Sequence, residues 1–245
     1  MNSRTNKVTV AAAATVIGLA AIYIFTAGAA SDDSDMLPPP GAQPNGPDRM
    51  ELCTNLPRPM FQGTEKDIRV ENLKKPDFGS RPAFLVPAGT KNIALDKAVS
   101  SSDEEPIIGE LDLITDGDKE AADGSYVELG PFLQHITIDL QAVHNIYAIM
   151  AWHYHKEPTV YFDVAVQIAD DPDFTQNVRT LFNNDIDNSA GLGVGTDMHY
   201  VETYKGELID AKGHKARYVR LYSNGNNRND LNHYIEVEVF GTPAN

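Results

Sequence analysis

From Lys91 to the C-terminus no stretch carries apolar residues at i, i+3 and i+4 over three turns. Short segments alternate apolar and polar residues instead, with turn residues between them. His135-Ile-Thr-Ile-Asp-Leu140 alternates, and Ile146 to His155 forms a longer apolar run. Val160 to Ile168, Ala216-Arg-Tyr-Val-Arg-Leu-Tyr222 and Tyr234-Ile-Glu-Val-Glu-Val-Phe240 continue the pattern. A period of two places every second side chain on one face of a strand. About eight such strands, with no helices between them, predict an all-β fold, an antiparallel β-sandwich.

The preceding ninety residues read differently. Arg4 and Lys7 precede an apolar run from Val8 to Phe25, and Ala27-Gly28-Ala29 then leads into Ser31-Asp32-Asp33. This is the order of a secretory signal. The run is also nearly long enough to cross a bilayer as an uncleaved helical anchor. Residues 1–30 are therefore read as a signal peptide or N-terminal membrane anchor, and the body as exported in either case. That places it outside the cell, in a periplasm or on the cell surface. Residues 31–90 read as a Pro-rich tether and an extended arm. The arm is expected to lie on the domain through Leu56, Met60, Phe61, Phe84 and Leu85. Residues 91–245 read as the sandwich. The single cysteine, Cys53, falls in the arm, so an internal disulfide scaffold is excluded.

The formal charge is −15. Residues 1–90 hold nine Lys/Arg and nine Asp/Glu, so the whole excess lies in the sandwich. An acidic module is a poor partner for nucleic acid, whose phosphates require a basic face. It is equally unsuited to docking on anionic lipid, which leaves the N-terminal segment, if uncleaved, as the membrane contact. It suits capture of a hard cation such as calcium.

Four stretches resemble the discoidin domain, the coagulation factor V/VIII C-terminal type, a jelly-roll of the galactose-binding-like β-sandwiches. They are Asn92-Ile-Ala-Leu-Asp-Lys-Ala-Val-Ser-Ser-Ser102, Thr115-Asp-Gly-Asp118, Ile136-Thr-Ile-Asp-Leu140 with Ile146, and Arg217-Tyr-Val-Arg-Leu221 with Glu236-Val-Glu-Val-Phe-Gly241. The resemblance spans Asn92 to Gly241. It departs where Tyr126 stands for a Trp after the Asp-Gly turn, and where Gln134 and His135 stand for a second Trp.

Asp103 to Asp123 is the densest acidic stretch, and its loop from Asp116 to Ser125 offers carboxylate, carbonyl and hydroxyl oxygens of the kind calcium takes. Its spacing is not that of an EF-hand. Carbohydrate-binding members of the resembled fold hold a structural calcium here, closed by a Glu near the last strand. The resemblance assigns that Glu as Glu236; from the loop itself Asp116 and Asp123 are expected as further carboxylate ligands and Asp118 and Ser125 as carbonyl or hydroxyl ligands, the alternative being a solvated acidic loop.

Trp152-His-Tyr-His155 has three readings. His153 and His155 share one side of a strand and could form half of a zinc or copper site, completed by His144, His199, His214 or His233. They could be polar side chains at a strand end, or they could contact a sugar. Ser223 to His233 is rich in amides, which both donate and accept, as sugar hydroxyls require; an ordinary turn-rich connection reads the same way. The resembled family places sugar contacts on loops at one end of the sandwich. Carried over, Tyr126 supplies the ring, and His153, His155, Asn226, Arg228, Asn232 and His233 supply polar contacts. No G-x-S-x-G or H-E-x-x-H motif occurs. The leading expectation is an exported, non-catalytic module that binds a glycan. The alternatives are a protein-interaction module of a cell envelope and a His-dependent metalloenzyme.

Overall fold

The computed structural model describes residues 48–244 except 66, 67, 76 and 78. The signal or anchor segment and most of the Pro-rich tether lie outside the described residues. No described helix is long and apolar enough to cross a membrane.

Two long strands organise the domain: β6 (Gln134–His153) and β9 (Glu207–Ser223). They pair antiparallel along their lengths, with a register break between Asp139 and His144. Each thereby serves both halves of one continuous, bent sheet of eight strands. In the first, residues 134–139 of β6 lie between β4 (Val99–Ser101) and the end of β9, which continues to β7 (Ala165–Ala169) and β8 (Arg179–Asn183). In the second, residues 144–153 of β6 lie between the start of β9 and β10 (Asn232–Pro243). β10 also pairs β3 (Lys91–Asn92) and β5 (Val127–Leu129). The ladders are antiparallel, as the alternation predicts.

The corner joining the halves is built from two of the family-like stretches. Gln141 turns the chain with φ 68°, and its N–H donates to Asp139 Oδ1 at 2.7 Å. The Arg217 guanidinium forks onto both oxygens of Asp139, each at 2.8 Å. These bonds hold the Asp139 carboxyl below its ordinary range. A planar fork on a carboxylate fixes direction as well as distance.

Ile136, Ile138 and Leu140 alternate into the core from one side of the corner, and Ile146, Ile149 and Ala151 from the other. Val219, Leu221, Val237 and Val239 meet them. The second half of β6 does not alternate, because its other face is buried too. Ala148, Met150 and Trp152 pack with Ile235, Phe240 and the arm residues Leu52 and Phe84. A strand covered on both faces reads as a continuous apolar run.

The arm is therefore bound to the sandwich. β1 (Arg49–Glu51) pairs β2 (Leu85–Pro87). Gln62 N–H donates to the Lys156 carbonyl at 2.6 Å, and Leu73 bridges His199. Of the residues expected to seat it, Phe84 joins the second cluster, whereas Leu56 is exposed. Cys53 is an exposed free thiol. The run from Val160 reaches strand geometry only at Ala165. Before it, Asp163 has φ 51° and bonds the Ser189 hydroxyl and the Asn224 amide, which bends the chain away from its neighbours.

The corner makes a testable demand. A carboxyl with a lowered folded-state pKa stabilises the fold fully above its ordinary value, and that contribution disappears as pH falls through the lowered one. Arg217→Ala should reduce the melting temperature at pH about 7. The gap between variant and parent should shrink as pH falls from the ordinary carboxylate value through the lowered one, where Asp139 becomes protonated in the parent as well.

Candidate ligand face at one end of the sandwich

β5 begins, β6 ends and β10 begins side by side, since Tyr234 pairs with both Val127 and His153. This register brings three rings together from distant parts of the chain. Tyr126 lies 5.1 Å from Tyr154 and 5.9 Å from His233, and Tyr154 lies 6.1 Å from His233. Both tyrosines are half-buried, and burial pushes their hydroxyls above the ordinary range.

His233 is fixed from both ring nitrogens. Nε2 lies 3.0 Å from Glu128 Oε2, and Nδ1 lies 2.9 Å from the Tyr161 hydroxyl. Burial lowers its pKa against the pull of Glu128. A neutral ring donating from Nε2 to the carboxylate and accepting the Tyr161 O–H at Nδ1 satisfies all three groups.

Two ion pairs stand beside the rings. Lys156 Nζ meets Asp123 Oδ1 at 3.1 Å, and Arg228 Nη2 meets Glu157 Oε2 at 2.5 Å. Both are partly exposed, so their remaining donors and acceptors face water. Half-buried rings bordered by such groups offer an apolar surface and hydrogen bonds together, as the ring face and hydroxyls of a sugar require.

The expected contact residues divide. Tyr126, His233 and Arg228 belong to this end of the sandwich. His153 and His155 are fully buried, which corrects their reading as solvent-facing contacts. His153 Nδ1 bonds Glu202 Oε1 at 2.7 Å, and its ring stacks on Tyr161 at 4.5 Å. His155 lies beyond the end of β6 and donates from Nε2 to the Lys119 carbonyl at 3.0 Å, which ties the acidic loop to the strand. Among the described residues, neither joins two further His, Cys, Asp or Glu side chains in a group able to hold a metal.

Asn226 and Asn232 are also turned inward. Asn226 donates to Asn229 Oδ1 and the Leu231 carbonyl, and accepts from the N–H groups of Arg228 and Asn229. Asn232 accepts from Gly225 N–H and donates to the carbonyls of Gly130 and Phe132. The amide-rich loop spends these side chains on its own backbone. They are correctly placed in the loop but occupied.

Tyr154 and Phe132 were not singled out by sequence reasoning. Tyr154 packs half-buried against the second cluster beside Tyr126, while its neighbours His153 and His155 are fully buried; polarity suggests the opposite. Phe132 is 79% exposed, in a turn with φ 69° that Asn232 clamps. A non-glycine residue held in the left-handed region is over-determined by its surroundings.

The acidic loop places its residues unequally. Asp116 ends a 3-10 turn (Leu111–Thr115), and its Oδ1 accepts the Asp118 N–H at 2.7 Å. Gly117 N–H donates to Glu236 Oε2 at 3.1 Å. Glu236 is fully buried, its Oε1 has no partner, and burial pushes its pKa up to about 9. Asp123 is engaged with Lys156, and Ser125 N–H bonds the Ala122 carbonyl. Among the described residues, the group of three carboxylates with oxygens within 4.8 Å of one another is Asp163, Asp185 and Asp187. Asp185 already accepts N–H groups from Asp187, Ser189 and Ala190, so it organises its loop. Glu236 is one of five described carboxylates that keep a buried oxygen without a partner, with Glu65, Glu120, Glu202 and Glu238, and it is the one bonded to the Asp116–Ser125 loop through Gly117.

No protein-family model matches the chain, and no curated protein matches it. Solved structures resemble part of it. The CBM32 of AlyQ, in complex with 4,5-unsaturated mannuronic acid, gives a TM-score of 0.43 at 20% identity, covering 60% of this chain and 96% of its own. A fucose-binding module of Streptococcus pneumoniae, SpX-3, gives 0.42 at 19% identity, covering 61% and 96%. Truncated AlyQ with CBM32 and alginate lyase domains gives 0.46 at 18% identity over 64% of this chain, but this chain spans 35% of that one. What this chain shows by its own topology is an antiparallel β-sandwich. The likeness is one of architecture and assigns no ligand.

The division between supporting and outward-facing residues can be measured. Asn232→Ala strands three backbone groups and should cost about 2–4 kcal/mol. Arg228→Ala should leave the denaturation midpoint nearly unchanged, since an exposed ion pair contributes little. Equilibrium denaturation of the two variants decides this.

Proposed function

We propose that the chain is an exported, non-catalytic binding module whose loop end takes the ring face of a glycan residue. The observation that carries this reading is the convergence of Tyr126, Tyr154 and His233 beside the Lys156–Asp123 and Arg228–Glu157 pairs. The buried network below the rings, from Tyr161 through His233 to Glu128, holds them without using the exposed donors. A pre-formed surface loses little ordering entropy on binding. Water competes for every hydroxyl, so affinity for one sugar is weak, and several tethered copies gain by avidity.

Calcium belongs to the same proposal. A buried carboxylate with a free oxygen and a raised pKa fits a divalent cation, which would hold it ionised. Glu236 and Asp116 would supply carboxylate oxygens, with carbonyl or hydroxyl oxygens from Asp118 and Ser125; Asp123 would have to leave Lys156 to join them. The ion would brace the loop that leads into Tyr126.

Exposed Phe132 favours a second reading, a protein-interaction module of the cell envelope. A glycan array run with calcium and with chelator separates the two. The expected result is binding to a defined set of glycans that Tyr154→Ala weakens about tenfold, the worth of one stacked ring. An array without hits in either condition contradicts the glycan reading.

The metal has its own test. An ion that binds only the folded state stabilises it by RT ln(1 + [L]/Kd), about 2.7 kcal/mol at a hundredfold excess. The melting temperature should rise with calcium and fall with chelator, and Glu236→Gln should abolish the response. A parent protein indifferent to chelator contradicts the site.

A further inference from the structure

A recess of about 290 Å³ opens between β8, an edge strand, and the first half of β9. Arg179, Thr180 and Leu181 line it from β8, and Asp210, Lys212 and His214 from β9. None of the ring residues of the loop end lines it. A bulge shapes the β9 side. His214 pairs with Ile146 and Asp210 with Ala148, so Ala211, Lys212 and Gly213 stand opposite Tyr147 alone. Lys212 at φ 55° and Gly213 at φ 74° are both left-handed, and Asp210 Oδ1 accepts the Lys212 N–H at 2.9 Å. A Cβ at Gly213 would stand 3.0 Å from the Tyr147 ring. Bulges re-aim side chains, and a lysine stays left-handed only where its surroundings impose it. The backbone is thus bent to set Lys212 in the same recess as Arg179.

The lining groups are accessible and unspent. Arg179, Thr180, Asp210 and Lys212 are exposed, and His214 is half-buried. Among the described residues, the side chains of Arg179, Lys212 and His214 have no hydrogen-bond or ion-pair partner. Thr180 accepts from Gln167 Nε2 at 3.1 Å, which leaves its own O–H to donate. Asp210 keeps Oδ2 as an acceptor. Two cations thus face one carboxylate, in a chain whose net charge is −15. This set selects among occupants. A cation is repelled by Arg179 and Lys212. A neutral sugar leaves both unpaired. A dianion exceeds the surplus of one positive charge and is pressed against Asp210. A monoanion that also brings a hydroxyl satisfies every group: its carboxylate takes the Arg179 fork and the Lys212 ammonium, and its O–H donates to Asp210. No aromatic ring lines the recess, so it reads charge and hydroxyls where the loop end offers a ring face.

We propose that this recess is a second binding site, separate from the loop end, for a hydroxy-carboxylate of the kind a uronic acid residue presents. Arg179 and Lys212 hold the carboxylate, Asp210 accepts from a neighbouring hydroxyl, and His214 and Thr180 donate to the remaining oxygens. The volume lies close to the lower end of small-molecule sites, about 300 Å³, which suits one such residue. The inference stands on the recess and its charges and does not require the loop end to bind sugar.

The test is amide NMR on the full chain, held in a non-glycosidic detergent at fixed ionic strength. The probes are the methyl glycosides of glucuronate and galacturonate, the neutral methyl glucoside and galactoside, sodium acetate and sodium sulfate. The expected result is saturable movement of the Thr180 and Lys212 signals by at least one uronoside, with acetate and sulfate at least tenfold weaker and the neutral glycosides without effect. Arg179→Gln and Lys212→Gln should each weaken the uronoside about tenfold at an unchanged melting temperature, since both side chains are exposed. Asp210→Asn keeps an oxygen for the Lys212 N–H and should narrow the preference for uronoside over acetate. Signals that no uronoside moves overturn the proposal. So do equal responses to the neutral glycosides, equal responses to acetate and sulfate, which mark a general anion patch, and binding that Arg179→Gln leaves intact. Movement at Tyr126 and Tyr154 alone leaves the loop-end reading standing and this one refuted; movement at Thr180 and Lys212 alone does the reverse.

Discussion

The second half of β6 must be buried on both faces, and most of the molecule follows from that. Ile146, Ile149 and Ala151 fill the sandwich, while Met150 and Trp152 on the reverse face would lie in water if the sandwich stood alone. Burying apolar surface is worth about 25 cal/mol per Å², so a bare tryptophan and methionine on a sheet demand a cover. The arm supplies it through Leu52 and Phe84, and the turn at Gly206 closes over the indole. That turn admits only glycine, since a Cβ at its φ of 64° would stand 2.6 Å from the ring. The folded unit is the sandwich with its arm.

The same strand sets the candidate ligand face. Where β6 ends, the inward side chains are no longer aliphatic but His153 and His155, each tied to a neighbouring segment. His153 reaches Glu202, and His155 reaches the backbone of the acidic loop. These contacts fix the places of Tyr154 and of the loop leading to Tyr126. A rigid polar layer thus underlies an aromatic surface, so the loop end is positioned by buried hydrogen bonds and not by the loops themselves.

The sandwich was legible because its core positions recur every second residue: Ile136, Ile138 and Leu140 announce their own geometry. Asp139 and Arg217 were recognisable as parts of family-like stretches, and the structure gives the reason, since they form one fork across the corner. The site was legible in its segments and much less in its side chains. His153, His155, Asn226 and Asn232 are polar and lie in the right places, but polarity does not reveal whether a group is spent on the protein or left for a ligand. Tyr154 was hidden by the same ambiguity, because its place beside Tyr126 and His233 is set by the partners of its neighbours.

The central claim is that a sugar ring lies on Tyr126 and Tyr154. A crystal of the chain soaked with an oligosaccharide tests it most directly. The account predicts sugar density against those two rings, with hydroxyls in reach of Lys156 and Arg228. Density confined to the Asn226–Asn232 loop or to the exposed Phe132 turn, with both tyrosines bare, would contradict it.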